Sequence, residues 1–529
     1  MNTDSRRYLI ASPFVGLAMS ACSGLALALA FPKFDLNLLA WVALVPLLVA
    51  IEGRSLNCVL LYSWTQGLAF YAATLYWIVN MLCTHSHKPL AAAAGELLVL
   101  AASEALFVPA TVVAATFISR RARIPMLVTL PIAWPAIEWL RSFFPVKYPW
   151  ALLGYTAYRD LRLIQFAEFT GVYGVSALIV LVNVAVFQVI AGPETRRAKL
   201  RMAAGVAAII VAALAFGTLR LAQLARAPVT GSLKVAMVQG NIVPNLKWDP
   251  ASVPPAFEVY TEATESAARE HPDLIVWPET AAAFIFLPHS VYPYPLATDA
   301  AYRRRLLQLS RDLHEPILLG APALEFGRVV SSRNRAYLVS ADGRVADFYD
   351  KMALVPFSEY VPMKSVLGHF FEKLVETLFD YLPGDRQTIF TVADARLGVL
   401  ICYESMLPDL ARRAVKAGAN VLVNIANDAW FGRSSAPYLL LAMTAMRAVE
   451  THTPIVRVVN SGISAVISPT GQVIAPTELF TRTTEIETVQ WKATRTIYTE
   501  YGDVFAEVCF ALLLIGLLAA AFRRPTATP

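Results

Sequence analysis

Eight apolar stretches, separated by short polar turns and by one long hydrophilic region, restrict what this chain can become. A helix needs roughly 20 predominantly apolar residues to cross the hydrocarbon of a bilayer. Runs of that order occupy residues 13–31, 56–82, 89–118, 163–191, 202–219 and 504–522, with shorter ones at 36–51 and 124–140. Lipid offers no partner to an open backbone N–H or C=O, so such runs must bond internally as helices. They predict a polytopic α-helical membrane bundle of about eight spans, all but one of them ahead of the hydrophilic region. Composition agrees: 57% of the 529 residues are hydrophobic and 16% are charged, too apolar for an ordinary soluble domain. Pro46, Pro109, Pro131 and Pro135 fall within the runs, where neighbouring helices can satisfy the carbonyls they free.

Basic residues orient the bundle, because Lys and Arg beside short loops stay cytoplasmic. Arg6 and Arg7, Arg54, Arg120 with Arg121 and Arg123, the cluster Arg196, Arg197, Lys199 and Arg201, and finally Arg523 and Arg524 all fall on one side of the alternation. Both termini are therefore expected in the cytoplasm and the hydrophilic region outside it. Arg141, Lys147, Arg159 and Arg162 run against this count, and the others outnumber them. The expected division is a bundle at 1–226, a catalytic domain at 227–501, and a last membrane helix with its tail at 502–529. The formal charge of +6 reads as membrane-orienting arginine, not as a nucleic-acid footprint, since no basic patch is interleaved with aromatics.

The hydrophilic region alternates short β-rich runs with helical ones. "LKVAMVQG", "DLIVWPET", "PILLGAP", "RLGVLICYE" and "NVLVNIAND" read as strands, and residues 256–270, 299–314, 408–417 and 438–450 as helices. This is the α/β pattern. Functional side chains in such folds gather at strand ends, on a rigid backbone. Here "DLIVWPET" ends in Glu279 and "RLGVLICYE" in Cys402 and Glu404, and "FYDKMALVPFSEYVP" between them offers Lys351 and Glu359. Of five cysteines, Cys402 alone lies in the hydrophilic region, so a disulfide framework is not expected. A thiol needs a base or a fixed cation to become a nucleophile near neutral pH. Glutamate can take its proton, and an ammonium can stabilise the oxyanion that follows attack on a carbonyl. Taken singly each residue has a plainer reading: Cys402 a small core residue, Glu279 a turn acid, Lys351 half of a surface pair. Metal and nucleotide chemistry lack their motifs, with no HExxH, CxxC, Walker or GxGxxG pattern, and no GxSxG elbow is present.

The segments "WPET", "DKMALVPFSEYVP", "ICYES" and "NIANDAWFG" resemble the Glu-Lys-Cys signature of the nitrilase superfamily. "MVQGNIVPNLKW" opens and "RVVNSGISAVISPTG" closes the same region. Joined to a membrane bundle, they make the chain similar to the apolipoprotein N-acyltransferase family along nearly its whole length. The resemblance implies an extracytoplasmic nitrilase-like αββα sandwich carried on the bundle, in the bacterial inner membrane. It implies Glu279 as general base, Lys351 as oxyanion stabiliser and Cys402 as nucleophile, with Glu359 positioning Lys351 and with Tyr403 and Glu404 shaping the site. Trp248, Trp430, Phe431 and Asn427 become candidate substrate contacts. No cofactor or metal is implied. The implied donor is a phospholipid, typically phosphatidylethanolamine. The implied acceptor is the α-amino group of a diacylglyceryl-cysteine at an apolipoprotein N-terminus. One departure is that Pro437 is followed by Tyr438, Leu439 and Leu440, where the family commonly has a Gln-His pair.

Alternatives stay open on the residues alone: a membrane-anchored nitrilase-type amidohydrolase, an acyltransferase for another lipid-linked amine, or a scaffold without activity. Two apolar segments, residues 281–288 and 366–383, are expected either to dip into the membrane or to pack on the protein. Glu96, Glu104, Glu138, Glu168 and Glu507 lie within apolar runs. Charge is costly in hydrocarbon, and hydrogen bonding between helices is their expected use.

Overall fold

The computed structural model describes residues 12–144, 147–192, 195–243, 253–284, 286, 297–326, 330–356, 358–360 and 381–523. The chain forms two compact units, one of residues 1–225, 434–442 and 501–529, the other of residues 226–433 and 443–500.

The first unit is helical: α1 Pro13–Leu29, α2 Val45–Ile51, α3 Leu56–Thr74, α4 Trp77–His85, α5 Leu90–Glu104, α6 Phe107–Ala122, α7 Met126–Arg141, α8 Val172–Ala191, α9 Arg196–Arg226 and a C-terminal helix, Val504–Phe522. Among the described residues four helices are long and apolar enough to cross a membrane: Leu90–Ala122, Val172–Ala191, Arg196–Arg226 and Val504–Phe522. The pair α3 and α4, bent by 48°, makes a fifth if counted as one span. The expected span at 163–191 begins later than its hydropathy suggests. Two one-turn helices, Leu161–Ile164 and Ala167–Thr170, come first, and Gly171 at φ 62° breaks the path before α8. That stretch carries Gln165 and Glu168, both buried, whose polar groups are better met by turns and partners than by lipid. Close approach explains a second detail: a Cβ on Gly217 of α9 would fall 1.6 Å from the Arg162 carbonyl oxygen.

Four of the five glutamates within apolar runs have partners. Arg141 Nη1 donates to Glu104 Oε2 at 3.1 Å, and Arg141 Nη2 donates to the Trp150 carbonyl at 2.8 Å. Glu138 Oε1 accepts from the Leu153 N–H at 2.7 Å and from Trp134 Nε1 at 3.0 Å. Arg220 Nε reaches Glu168 Oε2 at 2.7 Å, and Lys88 Nζ reaches Glu96 Oε1 at the same distance. Glu507 is exposed in the first turn of the C-terminal helix.

The second unit is a sandwich of two six-stranded sheets. The first contains β1 Val229–Gln239, β2 Leu274–Val276, β3 Ile317–Phe326, β4 Val330–Val339, β5 Val345–Asp350 and β12 Thr483–Lys492, in the order β12-β1-β2-β3-β4-β5. The second contains β6 Ile389–Val392, β7 Ala395–Ile401, β8 Val421–Ala426, β9 Ile455–Val459, β10 Ala465–Ile467 and β11 Val473–Ile474, in the order β11-β10-β9-β8-β7-β6. The period of two in a strand sends Val235 and Met237 of β1 to the core between the sheets, with Val399, Ile401, Val423 and Ile425 from the other side. Ala236 and Val238 face outward and pack under α10 Val253–Ala268 and α11 Ala297–Leu313, through Phe257, Tyr260 and Leu306. The parallel strands β7, β8 and β9 are covered on both faces, which is why they read as unbroken apolar runs. On the outer face of the second sheet, α12 Pro408–Lys416 approaches β7 so closely that a Cβ on Gly398 would lie 2.8 Å from Ala414 Cβ. A further helix, α13 Ala436–Thr451, follows the turn after β8; residues 443–451 belong to this unit and 436–442 to the first, among them the buried Leu439 and Leu440.

Of the two apolar segments, Ala281, Ala282, Phe284 and Phe286 are buried in the cluster on the outer face of the first sheet, so this part packs on the sandwich. Residues 366–380 lie outside the described residues.

Burial separates the helical unit's ion pairs by their energetic weight. Arg141 and Glu104 side chains are 3% and 9% exposed, Lys88 and Glu96 28% and 36%. Removing one partner of a buried pair strands the other charge. Arg141→Ala is thus expected to lower stability by on the order of 3–5 kcal/mol, and Lys88→Ala by less than about 1 kcal/mol. Thermal unfolding of the two variants in one detergent checks this; equal shifts would contradict it.

Candidate active site

Four strand ends meet. Glu279 follows β2, Lys351 follows β5 directly, Cys402 follows β7 directly, and Asn427 with Asp428 follows β8. Glu279 needs room for its backbone, and β3 supplies it at Gly320. A Cβ there would lie 2.6 Å from the Thr280 nitrogen and 2.7 Å from Glu279 Cα. Cys402 has φ 51°, a left-handed conformation uncommon outside glycine and often found where function imposes strain. It turns the chain out of β7 into the 3-10 turn Cys402–Met406.

Lys351 is 1% exposed. Its Nζ lies 2.8 Å from Glu359 Oε1 and 3.5 Å from Glu279 Oε1. Burial disfavours the ammonium, yet the two carboxylates prevail and raise its pKa above the ordinary lysine range. Asn334 of β4 holds both acids, donating from Nδ2 to Glu279 Oε1 at 2.7 Å and to Glu359 Oε1 at 3.4 Å. The other oxygen of Glu359 accepts the Val355 N–H at 2.8 Å. The backbone of Lys351 is pinned as well, its N–H on the Asn334 carbonyl at 2.9 Å and its C=O under the Gly384 N–H at 2.8 Å.

The Cys402 thiol stands within electrostatic reach of this group. Burial raises its pKa well above the ordinary thiol value, Glu279 adds to the rise, and Lys351 opposes it. The resting thiol is therefore protonated near neutral pH. Attack requires a base, and Glu279 is the carboxylate with the largest effect on it.

Glu404, within electrostatic reach of Lys351, ties the backbone of this cluster together. Oε1 accepts the N–H groups of Met352 at 2.6 Å and Ala353 at 3.0 Å, and Oε2 accepts the Ile401 N–H at 2.7 Å. The Tyr349 hydroxyl donates to both oxygens at 3.1 Å. One buried carboxylate thus clamps the segment after Lys351 to the residue before Cys402. Tyr403 is buried in the same turn.

A second support lies under the thiol. Arg457 of β9, fully buried, donates to Asp428 Oδ2 at 2.7 Å and to Asn424 Oδ1. Asn424 in turn donates to the Leu400 carbonyl at 2.9 Å. Asn427 is buried, and its Oδ1 accepts from Asn460 Nδ2 at 3.0 Å, which joins the ends of β8 and β9. Trp430 and Phe431 are half-buried in the 3-10 turn Asp428–Phe431. Trp248 lies outside the described residues.

A carbon-nitrogen hydrolase family profile matches residues 234–498, and the profile of the apolipoprotein N-acyltransferase N-terminal domain matches residues 23–185. An apolipoprotein N-acyltransferase from Geobacter metallireducens is 39% identical over 96% of this chain and 95% of its own length. The chain belongs to the apolipoprotein N-acyltransferase family. One from Gloeobacter violaceus is 31% identical over 95% of this chain and 94% of its own. Among solved structures, an amidase from Nesterenkonia sp. AN1 covers 52% of this chain and 99% of its own, at 19% identity and a TM-score of 0.36. As a member of its family the chain is an acyltransferase, built on a nitrilase-superfamily domain.

Asn334, Tyr349, Asn424, Asp428 and Arg457 were not among the residues expected from sequence to serve this acyltransferase. A signal existed for some. Asn334 and Asn424 sit inside strands, where asparagine is disfavoured and asks for a buried partner.

Burial pushes the Glu404 carboxyl from 4.5 up to about 7, against the backbone N–H groups that favour its charge. A raised carboxyl pKa means that the folded state holds the proton more tightly than the unfolded chain. This contribution to stability is complete below the lower value and is lost as pH rises to the upper one. Glu404→Gln cannot titrate and turns an amide N–H against backbone donors. It is expected to cost about 1–3 kcal/mol and to flatten the fall in stability across that window. Melting curves at several pH values for both proteins test this, and parallel pH profiles would contradict it.

Proposed function

We propose that this enzyme moves an acyl chain from a phospholipid, through a thioester on Cys402, to the α-amino group of a diacylglyceryl-cysteine at an apolipoprotein N-terminus. The reading rests on one observation: a buried ammonium, Lys351, held between Glu359 and Glu279 and coupled electrostatically to a cysteine at a left-handed strand end. Glu279 takes the thiol proton, and the sulfur attacks the ester carbonyl of the donor. Negative charge develops on that carbonyl oxygen, which Lys351 stabilises at no cost in reorganisation, because its carboxylate partners already fix it. The C–O bond breaks, Glu279 returns the proton to the departing alkoxide, and a lysophospholipid leaves. The amine of the acceptor then attacks the thioester. Glu279 receives a proton from the nitrogen, the C–S bond breaks, and the thiolate is reprotonated as an amide departs.

In this reading Glu359 positions Lys351, Glu404 and Tyr403 shape the turn that carries the thiol, Trp430 and Phe431 line the approach of the lipids, and Trp248 is a further substrate contact proposed from the resemblance alone. Asn427 keeps the adjoining turn in place through Asn460. We place the enzyme in the bacterial inner membrane with the sandwich on the periplasmic face and both termini in the cytoplasm, from the distribution of arginine beside the apolar runs. Phosphatidylethanolamine is the donor we propose, on the family resemblance.

Mass spectrometry of the protein incubated with phospholipid is expected to show an acyl adduct on Cys402. The adduct should disappear on addition of a diacylated lipopeptide, as a triacylated peptide forms. Cys402→Ala should give neither, Glu279→Gln should slow adduct formation by about 10²–10⁴-fold, and Lys351→Met by at least about 10²-fold. Transfer at the normal rate by the alanine variant would refute the assignment. Release of free fatty acid with no peptide product would instead favour a hydrolase.

A further inference from the structure

The helical unit holds a cavity of about 450 Å³ with Arg120 and Arg123 in its lining. It lies between the turn after α2, the C-terminus of α6, the N-terminus of α7 and the C-terminal part of α8. We propose that it binds the phosphate-bearing headgroup of an anionic phospholipid from the surrounding bilayer, with the first carbons of the acyl chains on its apolar floor.

Three independent features point to an anion. Arg120 and Arg123 line the cavity against a single carboxylate among the described residues, that of the exposed Glu52. Arg120 spends one of its five N–H groups on the Arg54 carbonyl, and this ties the turn after α2 to α6. The N-terminus of α7 also opens here. Its cap residue, Pro125, makes no side-chain cap, and its first turn holds no acid. The N–H groups of Val128 and Thr129 both turn back to the Pro125 carbonyl, while those of Met126 and Leu127 have no carbonyl within the helix to meet. The partial positive charge of a helix start is thus left uncompensated beside two guanidinium groups. Finally, Thr116 lines the cavity at 2% exposure, and its hydroxyl has no hydrogen-bond partner among the described residues. A buried hydroxyl left in that state is costly unless something fills the space beside it.

The negative end of α6 faces the same region and would repel an anion if bare. The Arg523 guanidinium covers it by donating to the Ala122 carbonyl, and Arg123 leaves the helix in a left-handed conformation, φ 59°.

Size and lining separate a lipid from a free phosphate. The volume is that of a pocket for a drug-sized ligand, and Leu48, Ile51, Phe187 and Met126 form an apolar wall next to the basic rim. Inorganic phosphate has no use for such a wall. An amphiphile at the border of a membrane bundle matches both sides of it. The proposal rests on the reading of the helices as membrane spans and uses no residue of the thioester chemistry, so either can fail alone.

The test uses the full chain in neutral detergent, with native mass spectrometry after adding phosphatidylglycerol or phosphatidylcholine at equal mole fraction. Phosphatidylglycerol should be retained preferentially. Arg120→Gln with Arg123→Gln should weaken its retention at least about tenfold, the scale of losing one or two charge-assisted hydrogen bonds. Thr116→Val, nearly isosteric, should weaken it about two- to fivefold with unchanged elution on size exclusion; it decides the matter should the double variant misfold. Cys402 acylation should persist in Thr116→Val. Equal retention of the two lipids, or unchanged retention in the variants, would overturn the proposal. Displacement of phosphatidylglycerol by millimolar inorganic phosphate would overturn the lipid assignment and leave a site for free phosphate.

Discussion

A lysine ammonium removed from water is the constraint to which the rest of the catalytic unit answers. Lys351, at 1% exposure, would be expelled or neutralised without compensation, since desolvating a charge costs several kcal/mol. Two carboxylates, Glu359 and Glu279, provide that compensation, and each in turn needs donors. Asn334 serves both acids with one amide group, and the Val355 N–H serves the far oxygen of Glu359. The result is one positive group against two negative ones before the thiol is counted. That surplus of negative charge, added to burial, holds the proton on Cys402 at rest. Once Glu279 accepts that proton, the surplus moves to sulfur, beside an ammonium already in place. The same electrostatics that keep the thiol quiet therefore favour the state in which it attacks.

Such a cluster works only if its four strand ends hold register with one another. Each sheet keeps its own strands aligned, but Lys351 follows a strand of one sheet and Cys402 a strand of the other. Glu404 bridges that gap, with the N–H groups of Met352 and Ala353 on one oxygen and that of Ile401 on the other. Within the second sheet, Arg457, Asp428 and Asn424 tie the ends of β7, β8 and β9 together. The left-handed turn at Cys402 is bracketed by these two supports, which is how a strained conformation persists.

Much of this arrangement was legible in the residues, and the part that was not has a physical reason. The five apolar runs read as strands do form strands, because burial on both faces leaves an unmistakable hydrophobic signal. Glu279 and Cys402 stood out because reactive side chains interrupt those runs at their ends, and Lys351 because the segment between the two runs offers an ammonium to complete them. Asn334 and Arg457 did not, since their value lies in partners more than twenty residues away, Glu279 and Asp428, and hydrogen bonding across a sheet has no period in sequence. The bundle was less legible. Hydropathy located apolar material without showing where a helix stops, and a single backbone event at Gly171 divided a stretch that composition reads as continuous.

The two units apply one rule to opposite ends. In the helical unit, buried charges are cancelled locally: Arg141 by Glu104 and the Trp150 carbonyl, Arg220 by Glu168. Each of these pairs is one to one, and the buried Glu138, a second carboxylate near Arg141, is met by the neutral donors Leu153 N–H and Trp134 Nε1. In the sandwich the balance around Lys351 is deliberately uneven, and the residual charge is what couples the ammonium to the thiol. A buried ion pair is by itself weak evidence of function, because structural networks also bury charge. An unequal count, sited at strand ends next to a nucleophile held at positive φ, is the feature that distinguishes a reactive centre from a structural one in this chain.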